Sequence, residues 1–143
     1  MVQDCACRTL LRGYTVLGLA GAWPAWTIPG IKAVLALSPY CTPCVVKGSL
    51  GSLKTPVMYQ GGTLDIGITP FVKGNNGAYD MTGSPVEFVE FDRAGHFAWT
   101  ELNQEHQSNI ARYSIAFLDK YVKGDATADP SAKIAGVSEL RTK

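Results

Sequence analysis

The sequence predicts an α/β fold, a small parallel sheet of about three strands with flanking helices. Three short apolar runs bounded by Pro and Gly have the character of buried strands. The segments between them are too long for hairpins, which indicates crossover connections. With 143 residues, the chain has the length of one domain with one core.

The strands are predicted from apolar runs that end at turn-forming residues. Residues 31–37 (IKAVLAL) lie between Pro29-Gly30 and Ser38-Pro39, and residues 56–60 (PVMYQ) stop at Gly61. Both runs are typical of strands covered on two faces. Residues 85–91 (PVEFVEF) alternate apolar and acidic side chains, so one face of this third strand is expected to be less buried.

The helices follow from spacing and from start and stop residues. Residues 14–23 form a short apolar segment that ends before Pro24, and Thr69-Pro70 is a typical helix start for residues 69–73. The clearest helix is C-terminal and ends at Gly124. Its apolar positions recur at three- and four-residue steps: Ile110, Tyr113, Phe117, Leu118 and Tyr121.

Composition and charge exclude several classes of protein. Hydrophobic residues make up 46% of the chain, which argues against global disorder. The net charge of +1 gives no electrostatic footprint for nucleic acid or an anionic membrane, so neither is an expected partner. The uncharged stretch 13–31 is interrupted by Pro24 and Pro29, so we expect a buried helix and a loop rather than a membrane span or a cleaved signal. The expected location is cytoplasmic.

Polar residues follow the predicted strands where ligands bind in open α/β sheets. Asp65 comes after the second strand, and His96 comes after the third. An Asp followed by a His in this way is the second half of a Ser, Asp, His hydrolase triad, in which the carboxylate orients the imidazole that removes a proton from the nucleophile. The alternative is structural: a loop Asp that caps a helix and a His packed on Trp99.

Three motifs resemble the closing strands of the dienelactone-hydrolase and carboxylesterase branch of the α/β-hydrolase superfamily. They are YQGGTLD (59–65), VEF (89–91) and GHFAWT (95–100). GYTVLG (13–18) and residues 31–39 are similar to the helix behind that family's nucleophile and to the strand after it. The resemblance divides the chain into a non-family N-terminal segment, 1–12, the C-terminal half of the fold, 13–124, and a surface tail, 125–143. It implies that Asp65 is the triad acid and His96 the triad base.

The family's nucleophile elbow is not present in the sequence. Full-length members have Gly-His-Ser-Leu-Gly-Gly before the Tyr-Thr-Val helix, whereas residues 8–13 here read RTLLRG. Leu10 stands where the resemblance expects the nucleophilic Ser. The first half of the family's fold has no counterpart in the chain either, so the sequence predicts two of three triad residues.

Cys41 is the best candidate for a substitute nucleophile. It follows the first predicted strand, and a thiolate beside an imidazole can accept an acyl group. Ser38 and Ser84 are weaker candidates. All three could equally be loop hydroxyls and a free thiol.

Cysteine spacing raises two further possibilities. Cys41-x-x-Cys44 could be a redox motif, or it could bind zinc together with Cys5 and Cys7. The Cys-x-Cys spacing is short for zinc, and no His lies near either pair. We therefore expect reduced thiols, no metal and no cofactor.

Loss of half the sheet would leave strand 31–37 as an apolar edge, which is an aggregation hazard unless it is covered. A homodimer through this edge or through the last helix is therefore expected.

Three functions stay open. The first is a hydrolase-like protein with weak or absent hydrolysis of carboxylic esters. The second is an active esterase that uses Cys41 or a group across the dimer interface, and the third is a non-catalytic protein that binds a small ester, an apolar ligand or a partner.

Overall fold

The computed structural model describes the backbone of residues 5–83 and 85–143, with side chains described from residue 13 onward. Within these ranges, five strands form one sheet in which sequence order is also spatial order. The strands are β1 (Cys5–Leu10), β2 (Ala33–Pro39), β3 (Val57–Gly62), β4 (Val86–Phe91) and β5 (Val137–Thr142). The first four are parallel, and β5 pairs antiparallel with β4. The predicted α/β class is therefore confirmed.

The helices lie on both faces of the sheet. They are α1 (Leu11–Leu17), α2 (Thr42–Lys47), α3 (Thr69–Lys73), α4 (Ala78–Met81) and α5 (Gln107–Leu118). Wider turns extend α1 through Gly18–Ala22 and α5 through Asp119–Lys123, where Gly124 ends the helix with φ of 75°. Short 3-10 turns cover Pro24–Trp26, Ser49–Ser52 and His96–Trp99. None of the described helices combines the length and apolar character needed to cross a bilayer.

Two layers of apolar side chains, one on each face, hold the sheet. Alternation along each strand directs Tyr59 and Phe88 toward the helices α1 to α4. Met58 and Phe91 point to the opposite face, where Phe117 of α5 packs against the sheet. Because both faces are covered, β2, β3 and β4 are buried along their whole lengths.

The sheet is larger than the sequence predicted, because β1 and β5 add a strand at each side. β1 falls in the segment assigned to a non-family N-terminus, and it pairs with β2 from Cys5 to Leu10. Strand β2 is therefore not an edge, contrary to our expectation for residues 31–37. At the other side, residues 137–142 lie in the expected surface tail but form β5, which covers the edge of β4.

The acidic side chains of β4 are buried, which differs from the half-exposed strand expected from their alternation. Glu87 and Glu90 are almost fully enclosed. The Glu90 carboxylate lies 2.7 Å from Lys73 Nζ, and Glu87 lies 3.4 Å from Lys120 Nζ. The sequence pattern could not indicate this burial because each cation comes from a distant helix region.

Candidate functional site

Three adjacent parallel strands bring Ser38, Asp65 and His96 together at the carboxyl end of the sheet. Ser38 lies at the end of β2, Asp65 follows β3, and His96 follows β4. Neighbouring parallel strands end side by side, so the loops that follow them meet. The two residues predicted as triad acid and base are thus in contact.

The three side chains form a closed set of hydrogen bonds. Ser38 Oγ lies 2.5 Å from Asp65 Oδ2 and 2.9 Å from His96 Nδ1. His96 Nδ1 lies 3.2 Å from Asp65 Oδ1. A carboxylate only accepts, so the Ser38 hydroxyl donates to Asp65, and its oxygen is left to accept from His96.

This network assigns the tautomer of His96. Both neighbours of Nδ1 act as acceptors, so in the neutral imidazole Nδ1 carries the proton and Nε2 holds the lone pair. Nδ1 is held by Ser38 and Asp65, which are both buried, while 31% of the His96 side chain is exposed. The exposed side of the ring is therefore the Nε2 side. Among the side chains that the structure describes, none hydrogen-bonds to Nε2.

The loop carrying Asp65 is locked to the loop carrying His96. The Leu64 amide donates to the Ala94 carbonyl at 3.0 Å, and the Arg93 amide donates to Thr63 Oγ1 at 2.7 Å. Gly62 permits this close approach, because a Cβ at that position would lie 2.1 Å from the Ala94 carbonyl oxygen. The distance between acid and base is thus set by backbone packing.

Ser38 has a strained backbone at the centre of the site. Its φ is 43°, a region that non-glycine residues seldom occupy, and the residue is fully buried. Such strain costs about 1–3 kcal/mol and persists where the surroundings enforce it. Here the hydrogen bonds to Asp65 and His96 hold the side chain in place.

A shallow apolar pocket of about 440 Å³ opens beside the imidazole. Its walls are Leu64, Asp65, Ile66, Gly67, Ile68 and His96. Leu64 and Ile66 are largely exposed, as is Phe97, whose ring lies 5.8 Å from that of His96. The pocket can hold a small apolar group next to the free imidazole nitrogen.

Among the described residues, the His96 imidazole hydrogen-bonds to Ser38 and Asp65 and not to Cys41. Its thiol is buried in the core cluster on the α2 face of the sheet, and Sγ lies 4.0 Å from the Phe71 carbonyl oxygen. Burial raises the pKa of Cys41 to about 12, with a smaller contribution from Cys44. The thiolate that nucleophilic attack requires is therefore strongly disfavoured.

The other candidate positions are accounted for as follows. Leu10 ends β1, where its backbone is in register with Pro39 of β2. Ser84 and the side chains of Cys5 and Cys7 lie outside the described residues. Within the part of the chain that is described, no group of His, Cys, Asp and Glu side chains is arranged to hold a metal ion.

The sequence indicates Ser38 only as a weak candidate nucleophile, and it does not indicate the contact of Ser38 with Asp65. Its hydroxyl lies at Nδ1, the side of the ring that the triad acid occupies, and not at Nε2, where a nucleophile would lie. The available signal was a Ser at the end of a buried strand, directly before Pro39. The structural alternative is not seen among the described residues. No described side chain caps α3, the His96 ring pairs with Phe97, and Trp99 packs on Phe91 and donates to Gln60 Oε1 at 3.1 Å.

Comparison with family models and with curated proteins finds no match for this chain.

Proposed function

We propose that this protein is an α/β-hydrolase-like esterase without a nucleophilic serine, in which His96 acts as a general base in weak hydrolysis of small carboxylic esters. The observation that supports this most is the free Nε2 of an imidazole whose Nδ1 is held by Ser38 and Asp65. The apolar pocket beside it suits the acyl or alcohol group of a small ester. The order Asp65 then His96 and the motifs of residues 59–65 and 95–100 favour the same family.

The reaction uses water as the nucleophile. Nε2 of His96 removes a proton from a water molecule while the water oxygen attacks the ester carbonyl carbon. The tetrahedral adduct then expels the alcohol or phenol oxygen, which receives the proton from Nε2, and a carboxylic acid is released. Asp65 and Ser38 keep the ring in the tautomer that this step requires.

The expected rate is low. A positioned general base contributes about 10²–10⁴-fold, whereas loss of a serine nucleophile from a complete triad costs about 10⁶-fold. We therefore expect activity well below that of an esterase with a full triad. A Cys41 nucleophile is less favoured because the thiol is buried and its raised pKa disfavours the thiolate.

Hydrolysis of p-nitrophenyl acetate and butyrate by the purified protein tests this proposal. His96→Ala should reduce turnover at least tenfold, since the base is removed. His106→Gln is the control for the second histidine of the chain, and Cys41→Ala is the control for the thiol. Both controls should keep the wild-type rate. Turnover that is unaffected by His96→Ala, or that is lost in Cys41→Ala, would contradict the proposal.

A second candidate is binding of a small apolar ligand without turnover. The exposed side chains of Leu64 and Ile66 in the pocket wall favour it. A non-hydrolysable aliphatic amide such as butyramide should then raise the unfolding temperature, as expected when a ligand binds only the folded state. Ile66→Asp should abolish the shift.

We also propose a cytoplasmic location, since the sequence predicts reduced thiols.

A further inference from the structure

The Cys41-x-x-Cys44 motif lies at the start of a helix on the carboxyl side of a parallel strand. Cys41 directly precedes α2 and Cys44 lies in its first turn, where the Val45 amide donates to the Cys41 carbonyl at 3.0 Å. In such a turn, the Cα atoms of residues three apart are about 5 Å from each other. Disulfides join Cα atoms separated by about 4.4–6.8 Å. The backbone therefore already has the spacing of a disulfide.

The two thiols also share one environment. Both side chains are buried in the core cluster that packs under α2. The helical turn between them places both residues on the same buried side of α2. Each thiol has a raised pKa, mainly because of burial.

We propose that Cys41 and Cys44 form a reversible dithiol–disulfide site that is oxidised by small-molecule disulfides such as oxidised glutathione. The inference is independent of the esterase proposal. When α2 opens locally and exposes the thiols to water, one cysteine is deprotonated, and its thiolate attacks the glutathione disulfide and expels one glutathione thiolate, which leaves a mixed disulfide. The second cysteine thiolate attacks the protein sulfur of that mixed disulfide and expels the other glutathione. The two glutathione thiolates take up the two protons that the cysteines lost.

The burial of the two thiols determines how stable the disulfide is and how fast it forms. Strongly oxidising disulfide proteins owe their potential to a stabilised thiolate in the reduced form. Here the burial of both sulfurs removes that stabilisation, so the disulfide should be stable once it is closed. Because the thiols are covered, exchange requires α2 to open locally, and formation should be slow.

The tryptic peptides of the chain allow a direct test. Cleavage after Lys32 and Lys47 releases peptide 33–47, which contains Cys41 and Cys44 and no other cysteine. Cys5 and Cys7 fall in peptide 1–8, which ends at Arg8. The native protein is equilibrated with excess oxidised glutathione, quenched with acid, alkylated, digested and analysed by mass spectrometry. Peptide 33–47 should be lighter by two hydrogen atoms and unalkylated, and dithiothreitol should reverse both changes.

Variants distinguish the internal disulfide from simple modification of a thiol. In Cys44→Ala, Cys41 has no neighbouring thiol to displace glutathione, so a glutathione adduct at Cys41 should persist, whereas in the wild type such an adduct is only transient. A Cys5→Ala/Cys7→Ala variant should behave as the wild type does. Two alkylated cysteines in peptide 33–47 at equilibrium would overturn the proposal. A stable glutathione adduct in the wild type, or a link to peptide 1–8, would overturn it as well.

Discussion

At the scale of single residues, the chemistry open to the site depends on which nitrogen of His96 is hydrogen-bonded to its neighbours. Ser38 and Asp65 lie at Nδ1 and are both acceptors toward it, so the lone pair is directed to the exposed side of the ring. A catalytic serine would instead lie at Nε2. We therefore propose that Ser38 is a positioning residue, whose contribution should show in the tautomer of His96 as well as in the rate.

Ser38→Ala should lower kcat for p-nitrophenyl butyrate about tenfold with little change in KM, because Asp65 loses a short hydrogen bond. Alanine keeps the Cβ, so the strained backbone stays the same. The ¹⁵N chemical shifts of His96 should move toward a mixture of the two neutral tautomers. Ser52→Ala, which removes an exposed hydroxyl bonded only to backbone carbonyls, is the matched control. Unchanged kcat and shifts in Ser38→Ala would argue against a positioning role.

At the scale of elements, the loop after β3 and the loop after β4 act as one unit. Gly62 lies against Ala94, and the hydrogen bonds of Thr63 and Leu64 join the loops. This contact holds Asp65 beside His96. A change at Gly62 should therefore affect both stability and the site.

Gly62→Ala should destabilise the fold by about 3 kcal/mol, because the new methyl group would clash with the Ala94 carbonyl and the loops would separate. Gly67→Ala is the matched control. A Cβ at Gly67 meets no atom within 4 Å, so its effect should stay within about 0.5 kcal/mol. Urea unfolding of both variants measures the difference. Equal stability of the two variants would contradict the packing described for the loops.

The burial of Glu87 in β4 gives stability a dependence on pH. Burial raises the pKa of Glu87 above its ordinary value of 4.5, although Lys120 partly opposes the shift. The folded chain therefore holds this proton more tightly than the unfolded chain. The stability contributed by the protonated carboxyl is fully present below pH 4.5 and is lost as pH rises through the folded pKa.

The Glu87→Gln variant has no ionisable side chain at this position. Between about pH 4 and about pH 7, its free energy of unfolding should therefore fall by less than that of the wild type. Urea unfolding at both pH values measures the free energy of unfolding for each protein. Glu101→Gln, at an exposed acid, is the control and should follow the wild type. Parallel changes in wild type and Glu87→Gln would show that the buried carboxyl does not contribute.

At the scale of the whole molecule, the three central strands of the sheet are predictable from the sequence, and the two outer strands, β1 and β5, are not. The apolar runs of β2, β3 and β4 are recognisable because both of their faces are buried. β5 reads VSELRT and is largely polar, so its strand character depends on pairing with β4. Asp65 and His96 were predicted from their places after the strands. The role of Ser38 depends on tertiary distances that no local pattern contains.

We propose that the protein is a homodimer, with the edge of β1 in place of the β2 edge that the sequence suggested. β1 ends the described sheet, and an unpaired strand edge favours pairing with a second copy. Sedimentation velocity at micromolar concentration should give the mass of two chains. A single species with the mass of one chain would refute the dimer.

We propose that His96 is the catalytic base of a weak esterase. The decisive test is steady-state hydrolysis of p-nitrophenyl butyrate by three samples measured side by side. They are the folded wild type, the His96→Ala variant and the wild type unfolded in urea. We expect the rate of the folded wild type to exceed both other rates at least tenfold, since only the folded chain holds Nδ1 of His96 against Ser38 and Asp65. Equal rates for the three samples would mean that the arrangement of these residues has no catalytic role.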